Sequence, residues 1–436
     1  MRTKLTFGTT DSIHGLSSLS ALDTISSPRH RWYFVKESFS PFFVDHAINN
    51  TNCVPDEDTI IDLFSGSGTV PLTAALNGFK AVALEVNPFL AFVSNTKLIQ
   101  CTAKSLYSLF SDVIKGVHSG CESPLENFST FCESPSANKW LFNRDVLRAF
   151  EGGWMATIGH KCGVRDVIRL CLIGAAMDAC NAQKDGKCLR YRKDWKGRSF
   201  GRKDFVDAFQ FRIGNVHSDM KEFPLRNPKA SILNMDSRQA QDTILSGDKF
   251  KLCIMSPPYL NSFDYTDVYR PELFLGKFVK THQDLQSLRL RTLRSHVQIS
   301  WPEPKEKEFG HHFTESFFEI EQRASVLWDK RIPSMIRAYF EDLKLILTNL
   351  RNLAKPDATV WIVVSTSAYS GVEIPVDLII ADIASNVGWF LREVNVIHYL
   401  RRVSGQQWDR LSERKKARPH LRESIVILDA KPRKRK

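Results

Sequence analysis

The chain has 436 residues, 43% hydrophobic and 25% charged, with 60 Lys and Arg against 48 Asp and Glu, a formal charge of +12. That length and balance exclude a disordered or fibrous bulk and allow at least one large core. The charge favours a polyanionic partner, nucleic acid before anionic membrane, but specifies no fold.

The excess is concentrated. Residues 184–203 carry a local +7 and residues 401–436 a local +9, so the other 380 residues sum to −4. No stretch of about 18 or more apolar residues offers a spanning helix. Met1–Leu22 lacks the apolar centre of a signal peptide, and its Asp11 and sparse Arg do not fit an organelle transit peptide. The nine cysteines are odd in number, scattered and without a C-x-x-C pair. They predict no disulfide framework, no zinc site and a reducing, cytoplasmic setting.

In chain order, Ile60–Phe64 reads as a short strand ending in the turn Ser65-Gly66-Ser67-Gly68. A helix follows over Thr69–Asn77, then strand Ala81–Leu84, closed by Glu85 and Asn87-Pro88. Strand, glycine turn, helix, strand is the opening unit of a parallel doubly wound sheet. The same style returns with strand Leu252–Met255 before Ser256-Pro257-Pro258-Tyr259. A helix over Ile332–Leu353, strand Thr359–Val364, helix Val376–Asn386 and a final strand pair, Leu391–Ile397 and Ser424–Leu428, complete it. Residues 101–225 predict a helical insertion, with helices at Lys139–Phe150 and Arg165–Ala182 and a basic loop at 184–203. A second insertion covers 266–330.

The turn at Gly66 and Gly68 needs residues without a Cβ if backbone is to approach a ligand. It is neither a phosphate loop nor the dinucleotide fingerprint. Glu85, at the end of the next strand, is placed to accept hydrogen bonds from two ribose hydroxyls. Together they suit S-adenosylmethionine, although a lone Gly-Ser-Gly is equally compatible with a structural turn and Glu85 with a solvated strand end.

Ser256-Pro257-Pro258-Tyr259 has a rigid backbone with two N–H donors removed. Its acceptors suit an exocyclic amino group, and the Tyr259 ring can stack on a planar base. An isolated Pro-Pro can also simply end a strand. Carbon-5 methylation of a pyrimidine would need a thiolate. Tyr259 follows the prolines, and Cys253 reads as core packing.

With these residues together, the chain resembles the amino-methyltransferases of DNA bases, the cytosine-N4 and adenine-N6 group. Asp62, Phe64, Gly66, Ser67, Gly68 and Thr69 match its glycine motif, Glu85, Asn87 and Pro88 its ribose motif, and Ser256–Tyr259 its catalytic motif. Lys36, Phe39 and Pro41 lie in a segment resembling the motif that closes over the methionine end of the cofactor. Asp236 stands where the family places an acid against the adenine amino group. The resemblance covers about 25–100, 231–275 and, more weakly, 335–430.

It implies a Rossmann-like class I methyltransferase core, α/β, with a mostly parallel sheet, an antiparallel last strand and a largely helical insertion. The expected layout is an extension 1–24, a core of 25–100 and 226–430, a candidate target-recognition insertion 101–225 and a basic tail 431–436. The implied cofactor is S-adenosylmethionine. The implied substrate is double-stranded DNA with the base flipped, compatible with a cognate restriction endonuclease as partner. Ser at the first catalytic position favours cytosine N4 over adenine N6. An RNA amino-methyltransferase and a non-catalytic nucleic-acid-binding regulator stand as alternatives. Arg190, Tyr191, Arg192, Lys193, Trp195, Lys196 and Arg198 interleave cations with rings, as a nucleic-acid contact or as a solvated loop whose Trp195 packs on the core.

Overall fold

In the computed structural model, residues 5–7, 19–134, 137–185, 188–197, 199–225, 229–240, 249–400 and 421–432 are described. Their strands, in chain order, are β1 Leu5–Phe7, β2 Thr59–Asp62, β3 Lys80–Leu84, β4 Ala182–Lys184, β5 Leu189–Tyr191 and β6 Ala230–Leu233. Then follow β7 Phe250–Met255, β8 Ala354–Ser365, β9 Ser367–Tyr369, β10 Val372–Ile374, β11 Phe390–Tyr399 and β12 Arg422–Asp429.

Eight of them form one sheet in the order β1-β11-β12-β8-β7-β2-β3-β6. From β6 to β8 all neighbours are parallel. β12 lies antiparallel between β8 and β11. This is a Rossmann-like class I methyltransferase fold, with the antiparallel last strand expected from the sequence. The pairing of β1, parallel to β11, was not foreseen, because three residues carry too little pattern to read as a strand.

Alternation along the strands builds a core on each face. Ile60, Leu252, Ile254, Trp361, Val363, Ile425 and Ile427 face one way, onto Phe43 and Val70. Ile61, Cys253, Met255, Val360, Ile362, Val364, Val426 and Leu428 face the other, under Tyr339, Ile346 and Ile380. Cys253 is thus core packing, and burial raises its thiol well above the ordinary range. The helices Ile332–Leu353 and Val376–Asn386 have the predicted bounds.

The insertion contributes the helices Ala103–Ser119, Arg144–Ala156, Val164–Asp178 and Arg202–Glu222. Their apolar sides share one cluster with Phe89 and Val93 of the core helix Pro88–Lys97 and with Val268, Leu273 and Leu288. The insertion therefore thickens the helical layer on the core. At one crossing a Cβ on Gly152 would stand 2.2 Å from the Gly116 carbonyl oxygen, so only glycine allows it.

Three boundaries differ from the sequence reading. The helix expected from Lys139 begins at Arg144, because Leu141 and Phe142 donate back to the Thr130 and Phe131 carbonyls. Glu133 then accepts the Arg144 N–H at 2.9 Å. The helix expected to reach Ala182 stops at Asp178, where the chain turns into β4. The basic stretch read as a loop contains the antiparallel hairpin β4–β5, and a helix starts at Arg202. Residues 401–420 and 433–436, which carry most of the C-terminal charge, lie outside the described residues.

At the start of β12, the Arg422 guanidinium pairs with Asp377 at 2.8 and 2.9 Å and with Glu373 at 3.0 Å. The Ser424 hydroxyl donates to Asp377 at 2.8 Å. Asp377 is fully buried. Asp377→Ala removes the buried two-point partner and leaves Arg422 only the part-exposed Glu373, and should cost about 3 kcal/mol, the low end for a broken buried pair, in urea unfolding. A loss below about 1 kcal/mol, the scale of an exposed pair, would contradict this account.

Candidate active site

Parallel strands deliver their following loops to one edge of a sheet. β6, β3, β2 and β7 are neighbours, so the loops carrying Asp236, Glu85, Phe64–Gly68 and Ser256–Tyr259 stand side by side at their C-terminal ends. The strand order reverses beside β2, the usual place for a ligand crevice in such sheets.

The turn after β2 is tightly defined. Asp62 accepts the Phe64 N–H at 2.8 Å, and the Ser65 N–H donates to the Leu84 carbonyl at 2.8 Å. Gly66 and Gly68 sit at φ +52° and +83°, the left-handed region. A Cβ on Gly68 would stand 2.2 Å from the Ser94 hydroxyl oxygen, whereas at Gly66 the same atom finds only the Phe64 carbonyl oxygen, at 4.0 Å. Gly68 is therefore required by helix approach and by φ. Gly66 leaves open space. Ser67 and Thr69 are buried, and Thr69 opens the helix Thr69–Leu76. Phe64 is half-buried against the apolar core.

Glu85 does not stand free at the strand end. One carboxylate oxygen accepts the Gly66 N–H at 2.7 Å and the other the Asn87 N–H at 2.8 Å. Burial pushes its pKa up to about 7, against the lowering pull of these N–H groups. Burial likewise pushes Asp62 up to about 8, and the neighbouring Glu85 charge adds to it. Asn87 caps the helix Pro88–Lys97 by accepting the Phe89 N–H at 3.0 Å, with Pro88 at its first position. The buried Asn87 Nδ2 has no hydrogen-bond partner among the described residues.

Asp236 is tied to the same wall. Asn234 Nδ2 donates to the carbonyls of Glu85 and Val86 at 2.8 and 3.0 Å, and the Ser237 hydroxyl donates to the Leu63 carbonyl. The Asp236 carboxylate is not free either. Arg238 pairs with it at 2.6 Å, because an unpaired carboxylate this buried would be costly. Arg238 also reaches Asp342 at 3.4 Å, and Asp342 pairs with Arg294 at 2.6 Å.

The segment before the sheet reaches the glycine turn through a residue that sequence reasoning passed over. The Ser38 and Ser67 hydroxyls lie 2.6 Å apart. Phe39 packs edge-on against Phe43, and Pro41 opens the helix Pro41–Asn50. The exposed Lys36 donates to the Asp185 carbonyl at 2.9 Å, at the turn end of the β4–β5 hairpin.

After β7, Pro257 is buried, while Ser256, Pro258 and Tyr259 are partly exposed. The Tyr259 phenol donates to Glu423 on β12 at 2.6 Å, and the Ser256 hydroxyl reaches the same phenol. Burial and the Glu423 charge hold the Tyr259 pKa far above the ordinary range, so the phenol stays neutral. Behind it, the Tyr269 phenol donates to Glu37 at 2.6 Å. Glu423 lies 164 residues from Tyr259, and no spacing in the sequence signals the contact.

The basic segment divides. Trp195 is buried against Trp140, with ring centroids 4.8 Å apart, and near Tyr191 at 5.2 Å. Its ring therefore packs against Trp140 and Tyr191, which, of the two arrangements that the sequence left open for Trp195, is the one that lies on the core. Arg192 is held by the Cys180 carbonyl at 2.9 Å. Arg190, Lys193 and Lys196 are exposed, Arg190 beside Asp185 at 2.7 Å. Arg198 lies outside the described residues. Among the described residues, no group of three His, Cys, Asp or Glu side chains could hold a metal ion, and no helix is long and apolar enough to cross a membrane.

The chain aligns with the type II methyltransferase M.BsoBI of Geobacillus stearothermophilus at 25% identity, over 91% of its own length and 85% of that protein's. It aligns with the type II methyltransferase M.AvaI of Nostoc at 24% identity, over 88% and 83%. This chain is similar to type II methyltransferases. The similarity spans the sheet and the helical insertion together, so the relatives extend across the whole layout. No protein-family profile matches the chain. Among solved structures, TrmN from Thermus thermophilus superposes with a TM-score of 0.29 at 8% identity, over 90% of this chain and 49% of that one. The rRNA methyltransferase aviRa from Streptomyces viridochromogenes superposes at 0.32 and 10% identity, over 98% and 97%. Superpositions this loose carry no argument about substrate.

Gly68→Ala should destabilise the protein far more than Gly66→Ala in thermal unfolding. Gly66→Ala carries only the left-handed strain of about 1–2 kcal/mol, whereas Gly68→Ala must also displace Ser94. Equal losses would mean that the helix does not hold the turn.

Proposed function

We propose that the chain is a site-specific DNA methyltransferase that uses S-adenosylmethionine to methylate the exocyclic amino group of a flipped base, with cytosine N4 as the preferred target. The observation that carries this reading is the alignment of the glycine turn, Glu85, Asp236 and Ser256–Tyr259 on four adjacent strand ends of a methyltransferase fold. Similarity to two type II methyltransferases supports DNA as the substrate.

The residues fit the cofactor on three counts: open space above Gly66, a carboxylate at Glu85, and the unpartnered Asn87 Nδ2 beside it. Glu85 would hold the ribose, Asp236 the adenine amino group, and the 36–41 segment would cover the amino-acid end. When bound, S-adenosylmethionine supplies an electrophilic methyl group on a sulfonium.

The chain's own part follows from the turn after β7. Ser256 and the Pro257 carbonyl accept from the base amino group, which localises its lone pair. Tyr259, its phenol anchored on Glu423, offers its ring as a stacking face. Methylation makes the remaining amino proton strongly acidic, so Ser256 or water suffices to take it and no strong base is required. Cys253 lies within the core, so no thiolate addition to the base is proposed. The exposed Arg190, Lys193 and Lys196 supply phosphate contacts.

Labelled cofactor offered with DNA and with RNA tests the substrate class, and sequencing that resolves modified cytosine and adenine tests the base. Transfer to RNA alone would overturn the reading, and modified adenine alone would overturn the choice of base. Ser256→Ala and Tyr259→Ala should each lower turnover by at least about 100-fold, the scale of lost transition-state contacts, with cofactor affinity kept within a few-fold. Near-normal turnover in either would remove it from the mechanism.

Glu85 must be ionised to accept two hydroxyls, and its pKa is raised to about 7. Cofactor affinity should therefore hold above that pH and weaken as pH falls through it. Calorimetry of Glu85→Gln should show weaker binding with this dependence flattened.

A further inference from the structure

Lys97 ends the helix Pro88–Lys97 and is almost fully buried, at 1% exposure. Its ammonium donates to the Ser67 carbonyl at 3.1 Å, inside the glycine turn, and to the Tyr33 carbonyl at 3.0 Å, just before the 36–41 segment. No carboxylate of a described residue pairs with it. Burial alone drives its pKa down to about 7. Around it stand Arg29, which donates to the Lys97 carbonyl at 2.9 Å, and His30, a buried ring that burial and the Lys97 charge keep neutral. Arg422, another deeply buried cation, has Asp377 against it. Lys97 has only carbonyl dipoles.

A buried ammonium without a counter-charge is unfavourable. An anion bound beside it would supply the missing counter-charge. One of the two carbonyls it grips lies in the glycine turn, and the other lies three residues before the 36–41 segment, which the proposed function places over the amino-acid end of the cofactor. That end carries the cofactor's carboxylate.

We propose that Lys97 is the built-in positive charge of the cofactor site. It ties the glycine turn to the Tyr33 segment, and it offers the amino-acid carboxylate of the cofactor a counter-charge from behind the turn. Lys97 is then a positioning residue that acts through the backbone of Ser67. The idea rests on the cofactor reading above.

Two ligands separate charge recognition from architecture. S-adenosylhomocysteine carries the amino-acid carboxylate, and 5′-methylthioadenosine lacks the amino-acid end. The full chain and its Lys97→Met and Lys97→Gln variants would be titrated with both by calorimetry, and their unfolding temperatures measured without ligand. Both variants remove an uncompensated charge but also free the Ser67 and Tyr33 carbonyls, so these opposing effects should leave their melting temperatures close to that of the unmodified protein. Both should bind S-adenosylhomocysteine at least about tenfold more weakly, as expected for loss of a low-dielectric charge pair, while 5′-methylthioadenosine affinity stays within about threefold.

A lower melting point with equal losses for the two ligands would overturn the proposal and leave Lys97 as a fold-holding residue. Unchanged S-adenosylhomocysteine binding would overturn it too. If the unmodified chain bound neither ligand, the cofactor reading itself would fall, a result distinct from both.

Discussion

The turn between β2 and its helix is the constraint on which the site depends. It is pinned from four directions. Ser94 crowds Gly68, Glu85 holds the Gly66 N–H, Lys97 holds the Ser67 carbonyl, and Ser38 meets the Ser67 hydroxyl. The contacts come from three stretches of chain, Ser94 and Lys97 sharing one helix. The turn thus registers the helix Pro88–Lys97, the end of β3 and the segment before the sheet against one another. A backbone held this way can present its open face to a ligand without reorganising when the ligand arrives.

Charge and chemistry occupy different places. The edge that carries the proposed transfer is built from glycines, prolines, hydroxyls and buried carboxylates whose pKa values burial has raised. The exposed cations proposed to meet phosphate sit on the insertion, Arg190 on β5 and Lys193 and Lys196 just after it. The two regions are nonetheless joined. Lys184 of β4 pairs with the buried Glu272, which also accepts from the Tyr33 phenol at 2.6 Å, and the Lys184 ammonium lies 3.6 Å over the Tyr269 ring. Tyr269 in turn holds Glu37. The proposed phosphate contacts near the hairpin are thus linked through Lys184, Glu272 and Tyr269 to Glu37, in the segment proposed to cover the cofactor.

Much of the core was legible in the sequence because its signals are local. Helices Ile332–Leu353 and Val376–Asn386 show apolar periodicity over whole turns, and β7 is a run of apolar residues stopped by Pro257-Pro258. The insertion was less legible. Glu133 accepts the first N–H of a helix that periodicity places five residues earlier, so the cap comes from a different segment. Trp195 reads equally well as a solvent-facing ring or a packed one. Only its neighbour Trp140, 55 residues away in the chain, decides between them.

The sequence by itself determined the order of the main core strands and helices, the glycine turn, the Ser-Pro-Pro-Tyr turn and the concentration of charge, since these follow from composition, period and backbone freedom. The tertiary structure decided which groups are already engaged: Glu85 with Gly66, Asp236 with Arg238, Tyr259 with Glu423, and Lys97 with two carbonyls and no counter-ion. The physical reason is burial. Desolvation makes every buried charge and donor seek a partner, and that partner is set by which distant segments the sheet brings together, not by spacing along the chain.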